Sequence, residues 1–165
     1  MTSEATNGAG DNAALGQAGG APGIAINAQY VKDLSFENPN APQSLVPTQT
    51  RPQIEVNVDV QGRGIAQNVY EVALRITATA KQGEAVAFVI ELLYAGVFTL
   101  QNILQEQLEP VLLIECPRLL FPFARRVIAD ATRDGGFPPL MMEPIDFMQL
   151  FQRHKAAAPQ TVAQA

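Results

Sequence analysis

The hydrophobic period of this chain changes once, and that change limits the fold more than any single motif does. From Ile24 to about Leu93, bulky apolar residues recur at every second position or run continuously. From about Thr99 to Phe151 they recur at three and four. Period two is the mark of strands with one buried face, and a period near 3.6 is the mark of amphipathic helices. Strands first and helices after predict an α+β domain.

Within the first part, Ile24, Ile26, Ala28, Tyr30, Leu34 and Phe36 alternate, interrupted by Lys32. Asn27, Gln29, Asp33, Ser35 and Glu37 take the opposite phase, interrupted by Val31. This predicts a long half-buried strand with a bulge near Lys32. Asp33 and Glu37 then point the same way, ~13 Å apart at ~3.3 Å per residue. A long strand near a domain edge invites pairing, and the same strand of a second copy, antiparallel across a two-fold axis, satisfies it. Residues 38–52 hold four prolines, which break both helix and sheet ladders. The stretch is long enough to cross the sheet, so the first two strands need not be neighbours. Ile54–Val60 alternates without error, Gln61–Gly64 reads as a turn, and Val69–Ala80 alternates again. Gly83 suits a hairpin turn. Ala85–Leu93 is almost wholly apolar, which predicts a central strand.

Thr99–Ile114 reads as a short helical lead-in limited by Pro110. The main helix begins near Pro117, a residue tolerated at a first helical position, and stops at Gly135–Gly136. Pro122 predicts a late start or a kink. Its apolar stripe is Leu119, Leu120, Phe123, Ala124, Val127, Ile128 and Ala131, with Arg118, Arg125, Arg126, Asp130 and Arg133 opposite. A stripe this wide fits a core helix, and it also fits a helix that packs on other subunits through Leu120, Ala124, Val127 and Ala131. A last helix opens at Asp146, with Gln149 completing a capping box, Ile145 and Leu150 as a staple, and Phe147, Leu150 and Phe151 as its buried stripe.

At 165 residues and net charge −5, the chain suits one domain of residues 23–155. Residues 1–22 and 156–165 are too poor in bulky side chains to offset their ordering entropy and are expected to be disordered. The negative charge disfavours nucleic acid and favours a cationic partner. A single cysteine fits a reducing compartment. No signal-peptide pattern and no long apolar run are present, so a soluble cytoplasmic protein is expected. Cys116 is the only thiol and His154 the only histidine. Cys116, before a proline at a helix start, is the one candidate nucleophile, but no motif supplies a base. No Cys/His cluster has metal spacing, no phosphate loop occurs, and cofactor chemistry has no support. Leu45, Val46, Phe98, Phe137, Leu140, Met141 and Met142 lie in or near irregular segments, where they serve as core or as an adaptable binding surface. Asp33, Glu37 and Glu84 form either a solvated face or a docking one.

Four ordered stretches then carry a resemblance: Tyr30-Val-Lys-Asp-Leu-Ser-Phe-Glu-Asn-Pro-Asn-Ala-Pro42; Val69-Tyr-Glu-Val-Ala-Leu-Arg-Ile-Thr-Ala-Thr-Ala80; Glu115-Cys-Pro-Arg-Leu-Leu-Phe-Pro-Phe-Ala-Arg125; and Gly136-Phe-Pro-Pro-Leu140 with Pro144-Ile-Asp-Phe-Met-Gln-Leu-Phe151. From about Ala28 to Gln152 the chain resembles SecB, the family of bacterial protein-export chaperones. The resemblance implies a four-stranded antiparallel sheet with a crossover connection, two helices on one face, and a homotetramer built as a dimer of dimers. It implies an ATP-independent chaperone, without cofactor, that holds unfolded secretory precursor proteins and delivers them to the SecA motor. Asp33, Glu37 and Glu84 match the family's SecA contacts. Leu45, Val46, Phe98, Phe137, Leu140, Met142, Phe147 and Phe151 are the implied client groove. The family often has leucine two residues before the hairpin acid, where this chain has Gln82, so SecA contact at this turn is expected to differ in strength or shape. The competing reading is an oligomeric α+β enzyme that uses Cys116 or His154.

Overall fold

The computed structural model describes residues 19–158. The disorder expected of the two tails falls largely on residues outside that range. Four strands, β1 (Gly23–Glu37), β2 (Gln53–Ala66), β3 (Val69–Gln82) and β4 (Ala85–Gln101), are followed by α1 (Gln105–Pro110), a five-residue π turn (Val111–Glu115), α2 (Cys116–Asp134) and α3 (Phe147–Ala157). The sheet is antiparallel throughout in the order β1-β4-β3-β2. The proline-rich segment therefore carries the chain from one edge of the sheet to the other, and β2, β3 and β4 form a meander, as the sequence predicted. β4 is central, and α3 runs to Ala157, two residues past the boundary expected from composition.

β1 carries two bulges. Ile26 pairs with Phe98 and Ala28 with Val97, which leaves Asn27 extra; Val31 pairs with Tyr94 and Asp33 with Leu93, which leaves Lys32 extra. The bulge near Lys32 was expected and the one at Asn27 was not. Each extra residue inverts the alternation, and two restore it. Ile24, Ile26, Leu34 and Phe36 thus share the face that meets the helices, because they oppose Leu100, Phe98, Leu92 and Ile90. Ala28 and Tyr30, placed with them by period two, lie on the other face, and Gln29 and Val31 replace them.

Two further expectations are corrected. Gln61–Gly64 is not a turn, since β2 continues to Ala66 and the chain reverses at Gln67–Asn68, with Asn68 at φ 58°. Gly62 instead lets the helical layer approach, as a Cβ there would stand 3.4 Å from the Leu112 Cβ. The second hairpin is as predicted, with Gly83 at φ 63°. The helix likewise does not start late at Pro122, which lies inside α2. The backbone stays helical from α1 into α2, and the irregularity sits ahead of Pro117, where the Cys116 N–H reaches back to the Val111 carbonyl, five residues away. Widening that turn accommodates a ring with no N–H to give. α2 ends in a Schellman cap: Phe137 N–H donates to Thr132 O at 3.1 Å, Gly136 N–H to Arg133 O at 3.0 Å, and Gly136 has φ 92°.

The core lies between the sheet and the helices. Val72, Leu74, Ile76 and Ala78 of β3, with Ile90, Leu92 and Phe98 of β4, meet Leu120, Ala124 and Ile128 of α2. Gly96 makes the contact close, because a Cβ there would stand 2.8 Å from Leu120 Cδ2. Leu120 and Ala124 are fully buried against their own sheet. They are therefore not available as the subunit interface expected of them. Val127 and Ala131 are half-buried, and the apolar residues that α2 presents outward are Leu119 and Phe123.

Candidate functional site

The face of the sheet away from the helices is an ordered charged surface. Opposed residues place Glu37, Val89, Thr79 and Glu55 in one row across the four strands. Ser35, Glu91, Thr77 and Asn57 form the next row, then Asp33, Leu93, Arg75 and Asp59. Asp33 and Glu37 are exposed on this face, as the sequence predicted. Glu84, also exposed, sits in the β3–β4 hairpin at the end of the sheet toward which Glu37 points. Glu91 belongs to the same acidic end, and sequence reasoning missed it. It is the one charge in an apolar strand, in phase with Val89 and Leu93, and that was the available signal.

Further along this face, Glu71 of β3 takes three donors. Tyr30 Oη donates to Oε2, while Lys32 Nζ and Arg63 Nε each lie 2.9 Å from Oε1. The Arg63, Tyr30 and Lys32 hydrogen bonds hold its carboxyl down at about 2. The cluster ties β3 to both edge strands. Its reach to β1 passes over Ala95 of β4, which opposes Tyr30 on one side and Ala73 on the other. Lys32, the extra residue of the bulge, reaches Glu71 across this face, and the bulge keeps Asp33 on the same face beyond it.

The second feature is the free edge of β2. Two hollows lie along it and another sits at its start, beside Pro52. The first, about 350 Å³, is formed by Leu45, Val46 and Pro47 of the crossover, Pro52, and Phe137. The second, about 290 Å³, lies between Val56–Val58 and Ile145, Leu150 and Arg153. The third, about 620 Å³, lies between Val60–Gly62 and Leu108, Leu112 and Leu113. Ile54 and Val56, expected inward, face the helical layer yet remain exposed because α3 does not cover them.

Local chemistry fixes the walls. Ser44 is buried, with its Oγ donating to Asn38 Oδ1 at 2.6 Å, and Asn40 Nδ2 donates to Val86 O at 2.8 Å, which holds the crossover against the sheet. Leu45 lies against Gly136. Phe137 packs its ring 4.9 Å from Phe88, which in turn stacks at 5.8 Å with Phe36. Thr132 Oγ1, itself bonded to the Ile128 carbonyl at 2.9 Å, accepts the Leu140 N–H at 2.9 Å and pins the segment after α2. Asp146 caps α3 by accepting the Gln149 N–H at 3.0 Å. The box is only half formed, since the Gln149 side chain accepts from Arg153 Nη2 at 2.7 Å instead.

Of the eight residues expected to line the groove, Leu45 and Val46 are exposed and Phe137 lines the first hollow. Leu140 and Phe151 are half-buried. Phe98, Met142 and Phe147 belong to the core, being 0 %, 7 % and 1 % exposed. Phe98 sits in phase with Leu92 and Leu100 on the helix side of a central strand, and Phe147 meets Phe121 edge-on at 6.1 Å. Sequence reasoning missed Val56, which lines the second hollow, and Ile54, exposed beside it on the same strand, because their alternation marked a buried face but not a strand at an edge.

The enzyme reading finds no support. Cys116 is buried, and burial, followed by the Glu115 charge, pushes its thiol up to about 12, where it is a poor nucleophile. His154 lies exposed on α3 with Asp59 Oδ1 3.9 Å away. Among the described residues no group of His, Cys, Asp or Glu is arranged to hold a metal ion.

An open strand edge lined with hollows leaves unpaired backbone groups to which an extended segment can add. The family described as Preprotein translocase subunit SecB matches residues 17–158. A relative named Protein-export protein SecB, from Rhodopseudomonas palustris (strain TIE-1), is 53 % identical over 142 residues, 86 % of this chain and 90 % of the relative. That of Maricaulis maris (strain MCS10) is 52 % identical over 160 residues, 94 % and 91 %. That of Parvibaculum lavamentivorans (strain DS-1 / DSM 13023 / NCIMB 13966) is 50 % identical over 165, covering 100 % and 98 %. Among solved structures, a SecB-like chaperone of Mycobacterium tuberculosis, in complex with a ChAD peptide from an antitoxin, superposes with a TM-score of 0.61. It is 13 % identical, over 74 % of this chain and 90 % of that one, a likeness of fold. The chain belongs to the SecB family of protein-export chaperones.

Proposed function

We propose that the chain holds unfolded secretory precursors along the β2 edge without nucleotide, and hands them to SecA through the outer face of the sheet. The single observation that carries the first half is the set of hollows beside an unpaired strand edge. An extended segment added to β2 exchanges backbone hydrogen bonds with it, and every second side chain drops toward the hollows. A folded protein offers neither free backbone nor exposed apolar side chains, so it is not a client. The peptide held by the Mycobacterium tuberculosis SecB-like chaperone is consistent with this use of the fold.

Suppression of aggregation of a urea-unfolded precursor, with no nucleotide present, is the test. The wild-type chain is expected to suppress it. Ile54→Lys/Val56→Lys, both at exposed positions, should keep the fold and weaken client holding about tenfold or more, the loss expected when an apolar anchor is removed from an interface. A strict ATP requirement, or an unimpaired double variant, would overturn the reading.

Docking of SecA is assigned to Asp33, Glu37 and Glu84, with Glu91 between the first two and β3. An acidic plane suits a basic segment and steers its approach. The working form is a homotetramer in the cytoplasm. Support comes from β1, an edge strand with Ile26 and Leu34 exposed, and from α2, with Leu119 and Phe123 outward. No helix among the described residues is long and apolar enough to cross a membrane.

A further inference from the structure

The outer face is acidic at the hairpin end, but a small hollow interrupts it. Ala73 of β3 presents only a methyl group between the Glu71 and Arg75 rows, while Ala95 of β4, which opposes it, is fully buried. The resulting depression, about 180 Å³, is lined by Lys32, Gln61, Arg63, Glu71, Ala73, Arg75 and Leu93. Three cations thus surround one carboxylate, on a protein whose net charge is −5. Glu71 is already committed, since Tyr30, Lys32 and Arg63 all donate to it. Arg63 spends only its Nε there. Arg75 is exposed and has no ion pair or side-chain hydrogen bond among the described residues. Its nearest cross-strand acid, Asp59, opposes it on β2. Asp59 accepts from Gln61 Nε2 at 3.3 Å, lies 3.9 Å from His154 Nε2 and makes no ion pair with Arg75. The other acid of that row, Asp33, is on β1 beyond Leu93.

We propose that this hollow is a carboxylate subsite, which takes an aspartate or glutamate side chain of a protein docked on the outer face. A guanidinium offers paired donors that match a carboxylate in its own plane. The small Ala73 side chain lets the incoming group settle between Arg75 and the free nitrogens of Arg63, while the second Nε2–H of Gln61, whose first goes to Asp59, supplies a neutral donor. The acidic rows and this subsite together select a partner surface of mixed charge: basic toward Glu37 and Glu91, acidic toward Arg75. The subsite stands on its own geometry, whichever protein docks.

The test is an NMR titration of the full ¹⁵N-labelled chain, following the Arg75 Nε–H resonance at constant ionic strength. The probes are N-acetyl-glutamate N-methylamide, its glutamine counterpart and inorganic phosphate. The glutamate probe should give a saturable shift and the glutamine probe none. Arg75→Gln should lower affinity for the glutamate probe about tenfold, read on the remaining Arg63 resonance, and Arg75→Lys should lower it less. Equal shifts from glutamate and glutamine probes would overturn the subsite. Tighter, Arg75-dependent binding of phosphate would overturn its assignment to carboxylates. Undiminished affinity in Arg75→Gln would remove Arg75 from it.

Discussion

Glu71 has a side chain only 10 % exposed that gathers donors from both edge strands of the sheet. Its carboxyl titrates near 2, against an ordinary value of 4.5. A depressed folded value stabilises the native state fully above the ordinary value, and that contribution drains away as pH falls from about 4.5 toward 2. Lys32 and Arg63 are 41 % and 66 % exposed and rehydrate when released, so the loss is modest. Glu71→Gln should lower stability at pH 7 by about 1 kcal/mol. It should also flatten the decline between pH 4.5 and 2 expected of the wild type. Urea midpoints across that range measure both, and an unchanged acid limb in Glu71→Gln would remove this residue from the acid response.

At the scale of the elements, Thr132 joins α2 to the segment that walls the groove. It is fully buried, and it accepts the Leu140 N–H while donating to its own helix. Thr132→Val keeps the shape but leaves that N–H without its partner. The cost is about 1–3 kcal/mol, read as a lowered urea midpoint, with hydrogen exchange at Leu140 faster than at Leu120.

Elements were largely legible in the sequence, and faces less so. Four strands, the crossing segment, the Gly83 turn and the Asp146 cap all follow from period, proline placement and capping chemistry, which are local. The π turn does not, because it depends on how Pro110 and Pro117 are reconciled with a helix already packed on the sheet. Exposure is also non-local: the alternation of Ile54 and Val56 gives their phase, but only the strand order says that β2 is an edge. Phe98 and Phe147 were misplaced for the same reason, since aromatic character marks value to a core and to a groove alike.

For the whole molecule, two surfaces remain to be filled. Native mass spectrometry should find the wild-type chain as a tetramer, in exchange with dimers. Leu119→Asp/Phe123→Asp, at exposed positions of α2, should shift it to dimers, and a monomeric wild type would sink the architecture. The acidic end of the outer face belongs to the same scale. Asp33→Lys/Glu37→Lys should leave oligomer size and client holding unchanged, and cost little stability, within about 0.5 kcal/mol per site. It should weaken SecA binding about tenfold or more by calorimetry, and added salt should reproduce the weakening in the wild type. Equal affinity in the double variant would take SecA off this face.

The pair of bulges in β1 gives that strand an unusual grammar. Deleting a residue from a strand ordinarily throws everything beyond it onto the wrong side, as a dropped letter garbles a message read in fixed groups. Asn27 and Lys32 are the supernumerary letters. Without Asn27, Ile26 and Ala28 become plain neighbours opposite Phe98 and Val97, and every remaining side chain still points where it did. Loss of Ser35, which opposes Glu91 one for one, has no such remedy. β1 can therefore change its length by one residue at two particular points while both of its faces keep their meaning, and an edge strand written this way can drift in sequence without surrendering either surface.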